Sequence, residues 1–307
     1  MVKLSVKAEG KSCHMNLHSF ILFVVPVLIA MTSQPARGEG RIQVEKDISY
    51  HGGDRAEQAD LYLPPAGKPG ELRPGIVIIH GGGWMIGRRN GRHEVNIGMT
   101  LAEHGYVCLS IDYLLQPQAT DAPRIWPRNL HDCKTAVRWL RAHAAKYQID
   151  VDHIGVIGGS AGGYLASMVG LTGPESALDP QGPYGDQSCR VQAVVDLYGS
   201  MVIAPHRIRI LVDPSNLDAV KQVTPLSHVD SGDPPVLILH GAADTTVPLQ
   251  DAEMFAAALQ EARVVHELVI IPDAGHSFGL QPEQQDLRPL VLEFLDKFLK
   301  HAGPRAE

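Results

Sequence analysis

Cysteine is scarce, four of 307 residues, and Cys13 falls in an N-terminal stretch that reads as a leader. Cys108, Cys133 and Cys189 remain, an odd number that allows at most one bridge and excludes a disulfide-built scaffold. Cys108 sits in an apolar strand-like run and Cys133 on an apolar helical stripe, so both are expected as buried, inert thiols. Metal-binding spacing is also missing: neither CxxC nor HExxH occurs and the 15 histidines are scattered, so no metal is expected. Positive charge is in deficit, with 27 Lys and Arg against 34 Asp and Glu. That net charge of −7 leaves no basic footprint for a phosphate backbone, which argues against a nucleic-acid partner. The apolar run Phe20 to Met31 is too short for a spanning helix, which needs about 20 residues, and it contains Pro26.

That run is instead read as an export signal. Lys3, Lys7 and Lys11 precede it and the small-residue site Ala36-Arg37-Gly38 follows it, the arrangement of a cleaved leader. Residues 1–38 are expected to be removed, whether translation begins at Met1 or at Met15. Losing Lys3, Lys7, Lys11, Arg37 and Glu9 leaves a mature chain of net charge −10, counted from 27 basic and 34 acidic residues. A secreted or periplasmic protein without stable membrane insertion is expected.

With 44% hydrophobic and 20% charged residues, the remaining chain can bury a sizeable core. Two amphipathic strands, Ile42 to Tyr50 and Gln58 to Leu63, read as an antiparallel edge. Continuous apolar runs follow at Gly75 to His80, Tyr106 to Asp112, Ile154 to Ile157, Ala193 to Leu197, Val236 to His240 and Val265 to Ile271. Runs without polar alternation are expected where both sheet faces are covered. Between them lie segments of helical period. Cys133, Ala136, Val137, Leu140, Ala144 and Tyr147 mark one helix over 127–147, with Lys134, Arg138 and Arg141 expected on its opposite, wet face. Val291, Phe294, Leu295, Phe298 and Leu299 mark another, and a third is expected from Pro248 to about Ala262. The pattern is α/β: one domain over 39–307 with a mostly parallel sheet of about eight strands and helices on both faces. The connection 199–235 is long for a plain loop and is expected to contribute a small lid.

The chemistry concentrates in three loops. Gly158-Gly159-Ser160-Ala161-Gly162-Gly163 places Gly-x-Ser-x-Gly between a buried strand and a helical run, a context in which the turn lifts the serine hydroxyl above the sheet. A glycine-rich phosphate loop is the competing reading, but the segment lacks the Walker lysine and is not GxGxxG. His80-Gly81-Gly82-Gly83-Trp84 follows another buried strand, and its glycines let backbone N–H groups approach a substrate. Gly82, Gly83 and Ala161 are therefore the candidate oxyanion donors, each worth about 3 to 4 kcal/mol at such a site. A serine needs a base, and the base needs an orienting carboxylate. Asp244 and His276 each follow the carboxyl end of a predicted strand, the rim where α/β sheets bind ligands. Asp273 is the rival acid, but three residues around a Gly turn is a cramped path to His276. His80 and His240 each precede a glycine and are expected to brace their loops through backbone bonds. Trp84 and Phe278 flank the site as candidate substrate contacts.

On these residues, with Asp112-Tyr113, Ala136-Val137-Arg138-Trp139-Leu140-Arg141, Pro234-Pro235-Val236-Leu237 and Asp273-Ala274-Gly275-His276-Ser277-Phe278, the chain resembles the α/β-hydrolase superfamily. Within it, the similarity is to HGGG-type esterases and lipases of the hormone-sensitive-lipase-like and carbohydrate-esterase-like branches. The resemblance implies Ser160 as nucleophile, His276 as base then acid, Asp244 as its orienter, and no cofactor. It implies a serine carboxylesterase for short-chain acyl, acetylated-carbohydrate or feruloyl-type esters, free or carbohydrate-linked. An amidase, formamidase or exopeptidase on the same fold, or a non-catalytic ligand-binding homologue, are the alternatives. Two features depart from the family. Little precedes His80 that could form a cap, and Leu114 stands where Asp-Tyr-Arg is common.

Overall fold

The computed structural model describes residues 40–53, 55–68, 70–117 and 123–300; the predicted leader, 1–38, lies outside them. Eight strands form one sheet: β1 (Gln43–Ile48), β2 (Ala59–Leu63), β3 (Arg73–Ile79), β4 (Val107–Ile111), β5 (Ile149–Gly159), β6 (Ala193–Leu197), β7 (Val236–Gly241) and β8 (His266–Ile271). Their order is β1-β2-β4-β3-β5-β6-β7-β8. β1 and β2 pair antiparallel at one end, and β2 joins β4 antiparallel. Every pairing from β4 to β8 is parallel. The sequence expectation of an antiparallel edge leading into a parallel sheet is met.

The helices are α1 (Arg92–Glu103), α2 (Arg128–Ala142), α3 (Ala144–Tyr147), α4 (Ala161–Leu171), α5 (Pro205–Leu211), α6 (Leu217–Gln222), α7 (Leu249–Glu261) and α8 (Arg288–Leu299). Strand side chains alternate between two cores, as the two-residue period of a pleat requires. Val77, Ile79, Val156 and Ile238 pack with Leu130, Leu165 and Phe255 of α2, α4 and α7. Ile76, Ile78, Ile157 and Leu239 pack with Leu101, Val291 and Leu295 of α1 and α8 on the opposite face. Cys108, Cys133 and Cys189 are buried free thiols. Burial pushes the Cys189 thiol up to about 11, which leaves it protonated and unreactive at neutral pH.

Three sequence expectations need correction. The single helix over 127–147 divides at His143, whose ring Nδ1 lies 2.8 Å from the Trp139 carbonyl and whose imidazole stacks on Trp139 at 4.1 Å. Lys134 and Arg138 do not face water: Lys134 is fully buried and Arg138 6% exposed. Lys134 Nζ donates to the Thr172 carbonyl and to Asp179 Oδ1, both at 2.6 Å, and Arg138 donates to the Pro180 carbonyl. The loop after α4 folds over this helix face and supplies the acceptors that let the charges be buried. Finally, β8 is an edge strand with Glu267 and Ile270 exposed, so only part of that apolar run is covered on both faces.

Candidate active site

The strand-to-helix elbow at Ser160 is built by close approach. Ser160 adopts φ 56° and ψ −120°, a sparsely populated conformation that stores about 1–3 kcal/mol and must be held by its surroundings. The Ser160 N–H donates to the Leu197 carbonyl at the end of β6 at 2.8 Å. A Cβ on Gly158 would stand 2.3 Å from the Gly162 carbonyl oxygen, and one on Gly162 would stand 2.2 Å from that of Ile79. Only glycine fits at either position, which is the physical content of the Gly-x-Ser-x-Gly spacing.

Three distant loops meet at the hydroxyl. His276 Nε2 lies 2.8 Å from Ser160 Oγ, and His276 Nδ1 lies 2.6 Å from Asp244 Oδ2. The Asp244 side chain is fully buried and that of His276 14% exposed. Asp244 Oδ1 accepts the backbone N–H groups of Thr246 at 2.8 Å and Val247 at 2.9 Å. One carboxylate oxygen is therefore fixed by its own loop and the other orients the imidazole. Asp273 is exposed and its carbonyl takes the Gln284 side-chain amide; it makes no bond to His276. His80 and His240 brace their loops as expected, with His80 Nδ1 2.7 Å from the Gly81 carbonyl and His240 Nε2 3.0 Å from that of Val247.

The glycine loop lies directly above the elbow. A Cβ on Gly81 would contact the Gly159 carbonyl at 2.9 Å. Gly82 and Gly83 have φ of 116° and 61°, and the Gly82 carbonyl turns away to accept the N–H groups of Met85 and Ile86. Ala161 opens α4, so its N–H belongs to the unpaired first turn and the positive end of the helix dipole. The three predicted donors thus stand on the two loops that bracket Ser160.

Trp84 and Phe278 are packed more deeply than their reading as substrate contacts implied. Trp84 is 1% exposed and meets Tyr164 edge-on at 5.2 Å. Phe278 is 8% exposed and packs on Tyr198 at 4.5 Å. Tyr198 is the residue that sequence reasoning missed: its hydroxyl donates to the Phe278 carbonyl at 2.8 Å and its ring meets that of His276 at 4.9 Å. It anchors the histidine loop, and its place one residue past β6, on the same rim as the other site loops, was the available signal. The place of the missing Arg at 114 is also explained. Arg89 bonds Asp112 and Asp60, and the Leu114 N–H donates to Asp132 at 2.8 Å. Tyr113 carries the support onward by donating to the His80 carbonyl at 3.0 Å.

Beneath the elbow, Asp196 is fully buried; its Oδ1 accepts the Gly199 N–H at 2.9 Å, while Oδ2 has no partner among the described residues. Burial pushes this carboxyl up to about 8, against the Gly199 bond and with a further push from Asp251. Between its unfolded value of 3.8 and about 8, the folded chain holds a proton that the unfolded chain has released. The Asp196 contribution to stability therefore falls as pH rises through that window, by up to about 1.4 kcal/mol per pH unit. Urea midpoints at pH 5 and pH 8 are expected to show Asp196→Asn gaining on the wild type as pH rises; equal slopes would reject the account.

Two cavities meet at Ser160, Gly83 and Arg207. The larger, about 630 Å³, is also lined by Gly82, Tyr198 and His276. The smaller, about 260 Å³, is also lined by Trp84, Ala161 and Val247. Among the described residues no cluster of His, Cys, Asp and Glu could hold a metal ion, and no helix is long and apolar enough to cross a membrane.

A mostly parallel sheet with its serine elbow, acid loop and histidine loop on one rim is the α/β-hydrolase fold. Residues 59–259 match the BD-FAE family profile, and the chain belongs to that family. The esterase LipQ of Mycobacterium tuberculosis is 32% identical over 249 residues, covering 76% of this chain and 57% of that protein. The chain thus spans little more than half the length of that curated relative. Among solved structures, a truncated carbohydrate esterase from gut microbiota superposes with a TM-score of 0.71 at 25% identity, over 83% of this chain and 95% of the other. Esterase 2 of Thermogutta terrifontis, in a form phosphonylated by cyclosarin, gives 0.68 at 27% identity, over 88% and 98%.

Proposed function

We propose that this chain is an exported serine carboxylesterase acting on short-chain acyl, acetylated-carbohydrate or feruloyl-type esters. The observation that carries the reading is the continuous hydrogen-bond path from Ser160 through His276 to Asp244, at 2.8 and 2.6 Å. In the first half-reaction Ser160 Oγ attacks the ester carbonyl carbon while its proton passes to His276 Nε2. The carbonyl oxygen becomes an oxyanion, for which the N–H groups of Gly82, Gly83 and Ala161 are the donors. The intermediate collapses by breaking the bond to the alcohol oxygen, which takes the proton from His276. Water then repeats the sequence on the acyl-serine: it loses a proton to His276, attacks the carbonyl, and Ser160 leaves with that proton.

The carbohydrate side of the reading is supported by the similarity to a carbohydrate esterase. Export is supported by the leader pattern over 1–38. A panel of p-nitrophenyl esters and matched p-nitroanilides tests the reaction class. The acetate and butyrate esters are expected to exceed the anilides in kcat/KM by about a hundredfold or more, because an amide needs better-placed protonation of a poorer leaving group. Turnover confined to anilides would replace the esterase reading with an amidase.

A further inference from the structure

The chain is acidic as a whole, yet the larger cavity at Ser160 is not. Its lining includes Arg88, Arg92 and Arg207, and its one lining carboxylate among the described residues is Glu94. None of the three guanidinium groups has a carboxylate or hydrogen-bond partner among the described residues. Two other arginines are engaged instead: Arg89 by Asp112 and Asp60, Arg55 by Asp132 and Glu57. Unpaired positive charge lining a concave site focuses a field on whatever enters it.

The two cavities are chemically distinct. His276, which hands its proton to the departing alcohol, lines the larger cavity and not the smaller. Of the three oxyanion donors, Gly82 lines only the larger cavity, Ala161 only the smaller and Gly83 both, so the reacting carbonyl lies where the cavities meet. The alcohol portion of the ester therefore belongs in the larger cavity, and a compact acyl group in the smaller.

Building on the esterase reading, we propose that the preferred substrate carries a carboxylate on its alcohol portion, as an acylated acidic sugar or hydroxy acid does, and that Arg88 and Arg92 read that group. Arg207 stands at the junction of the two cavities, where a Cβ on Gly83 would be 2.7 Å from its Nη1. It places a third positive charge close to the reacting carbonyl. Arginine suits this task because its planar fork matches a carboxylate and stays charged at every working pH.

The test compares two acetate esters of equal shape, 4-acetoxybenzoate and 4-acetoxybenzamide, each kcat/KM being divided by that ester's rate of hydroxide hydrolysis. The wild type is expected to favour the carboxylate by about tenfold, the worth of a charge-assisted contact. Salt at about 0.5 M should compress the preference toward one by screening. Arg88→Glu combined with Arg92→Glu is expected to reverse it. A ratio taken within one preparation is independent of the folded fraction, so a poorly folding variant still gives a reading. A wild-type ratio at or below one, or a ratio unchanged by the double charge reversal, overturns the proposal while leaving the esterase reading standing. If the wild type hydrolyses neither ester nor p-nitrophenyl acetate, the esterase reading itself fails and the proposal with it.

Discussion

Ser160→Ala is expected to lower kcat by about 10⁴- to 10⁶-fold and to abolish labelling by a fluorophosphonate probe. Catalysis at such a site is cooperative. Without the hydroxyl, the imidazole, the carboxylate and the oxyanion donors have no nucleophile to activate, and only binding and charge stabilisation remain. The substitution removes one oxygen whose side-chain partner is His276 Nε2, so the elbow and the sheet have little reason to change. Thermal unfolding of the variant should therefore match that of the wild type within a few degrees. The probe supplies a second, independent readout, because it requires an activated hydroxyl and forms a covalent adduct detectable by mass. Folded Ser160→Ala protein that keeps more than a tenth of wild-type turnover, or wild-type protein that resists the probe, would reject Ser160 as nucleophile.

Asp244→Asn carries the next largest effect, a loss of about 10⁴-fold in kcat, against less than a twofold change for Asp273→Asn. Asp244 Oδ2 accepts the proton on His276 Nδ1, which leaves Nε2 bare to take the proton of Ser160. An asparagine can turn its NH₂ toward Nδ1, and the proton then sits on Nε2, where it blocks the serine. The loop would still hold its place, since the asparagine oxygen can accept from Thr246 and Val247 as Asp244 Oδ1 does. The loss is thus one of proton placement rather than of folding, and kcat should fall with little change in the urea midpoint. Asp273 is exposed, and its carboxyl has no part in that relay. The reverse ranking of the two variants would reject the acid assignment.

Some of the site was legible because its requirements are local. A strand that turns at once into a helix must have glycines where the backbones touch, and a Cβ on Gly158 or Gly162 would stand within 2.3 Å of a carbonyl oxygen. The rim position of Asp244 and His276 follows from their place just after apolar runs, since a parallel sheet gathers its carboxyl ends on one edge. Tyr198 and Arg89 escaped notice because each works through residues far away in the chain. Tyr198 bonds Phe278 and Arg89 bonds Asp112, pairings that no window of sequence contains. Lys134 and Arg138 are buried where helical period predicts a wet face, because period reports only which residues are apolar. It carries no record of a loop such as the one with Asp179 and Pro180, which can cover charge and neutralise it.

The order of the strands' apolar runs, the glycines of the elbow and the three loops that end in Ser160, Asp244 and His276 were determined by the chain alone, through period, side-chain bulk and chain order. Tertiary structure decided which acid meets the imidazole, which aromatics are core and which support the site, and how two cavities divide at Ser160. The reason is one of range. Backbone preference and hydrophobic period act over a few residues, whereas a hydrogen bond or a cavity wall needs atoms that only the closed fold brings within about 3 Å.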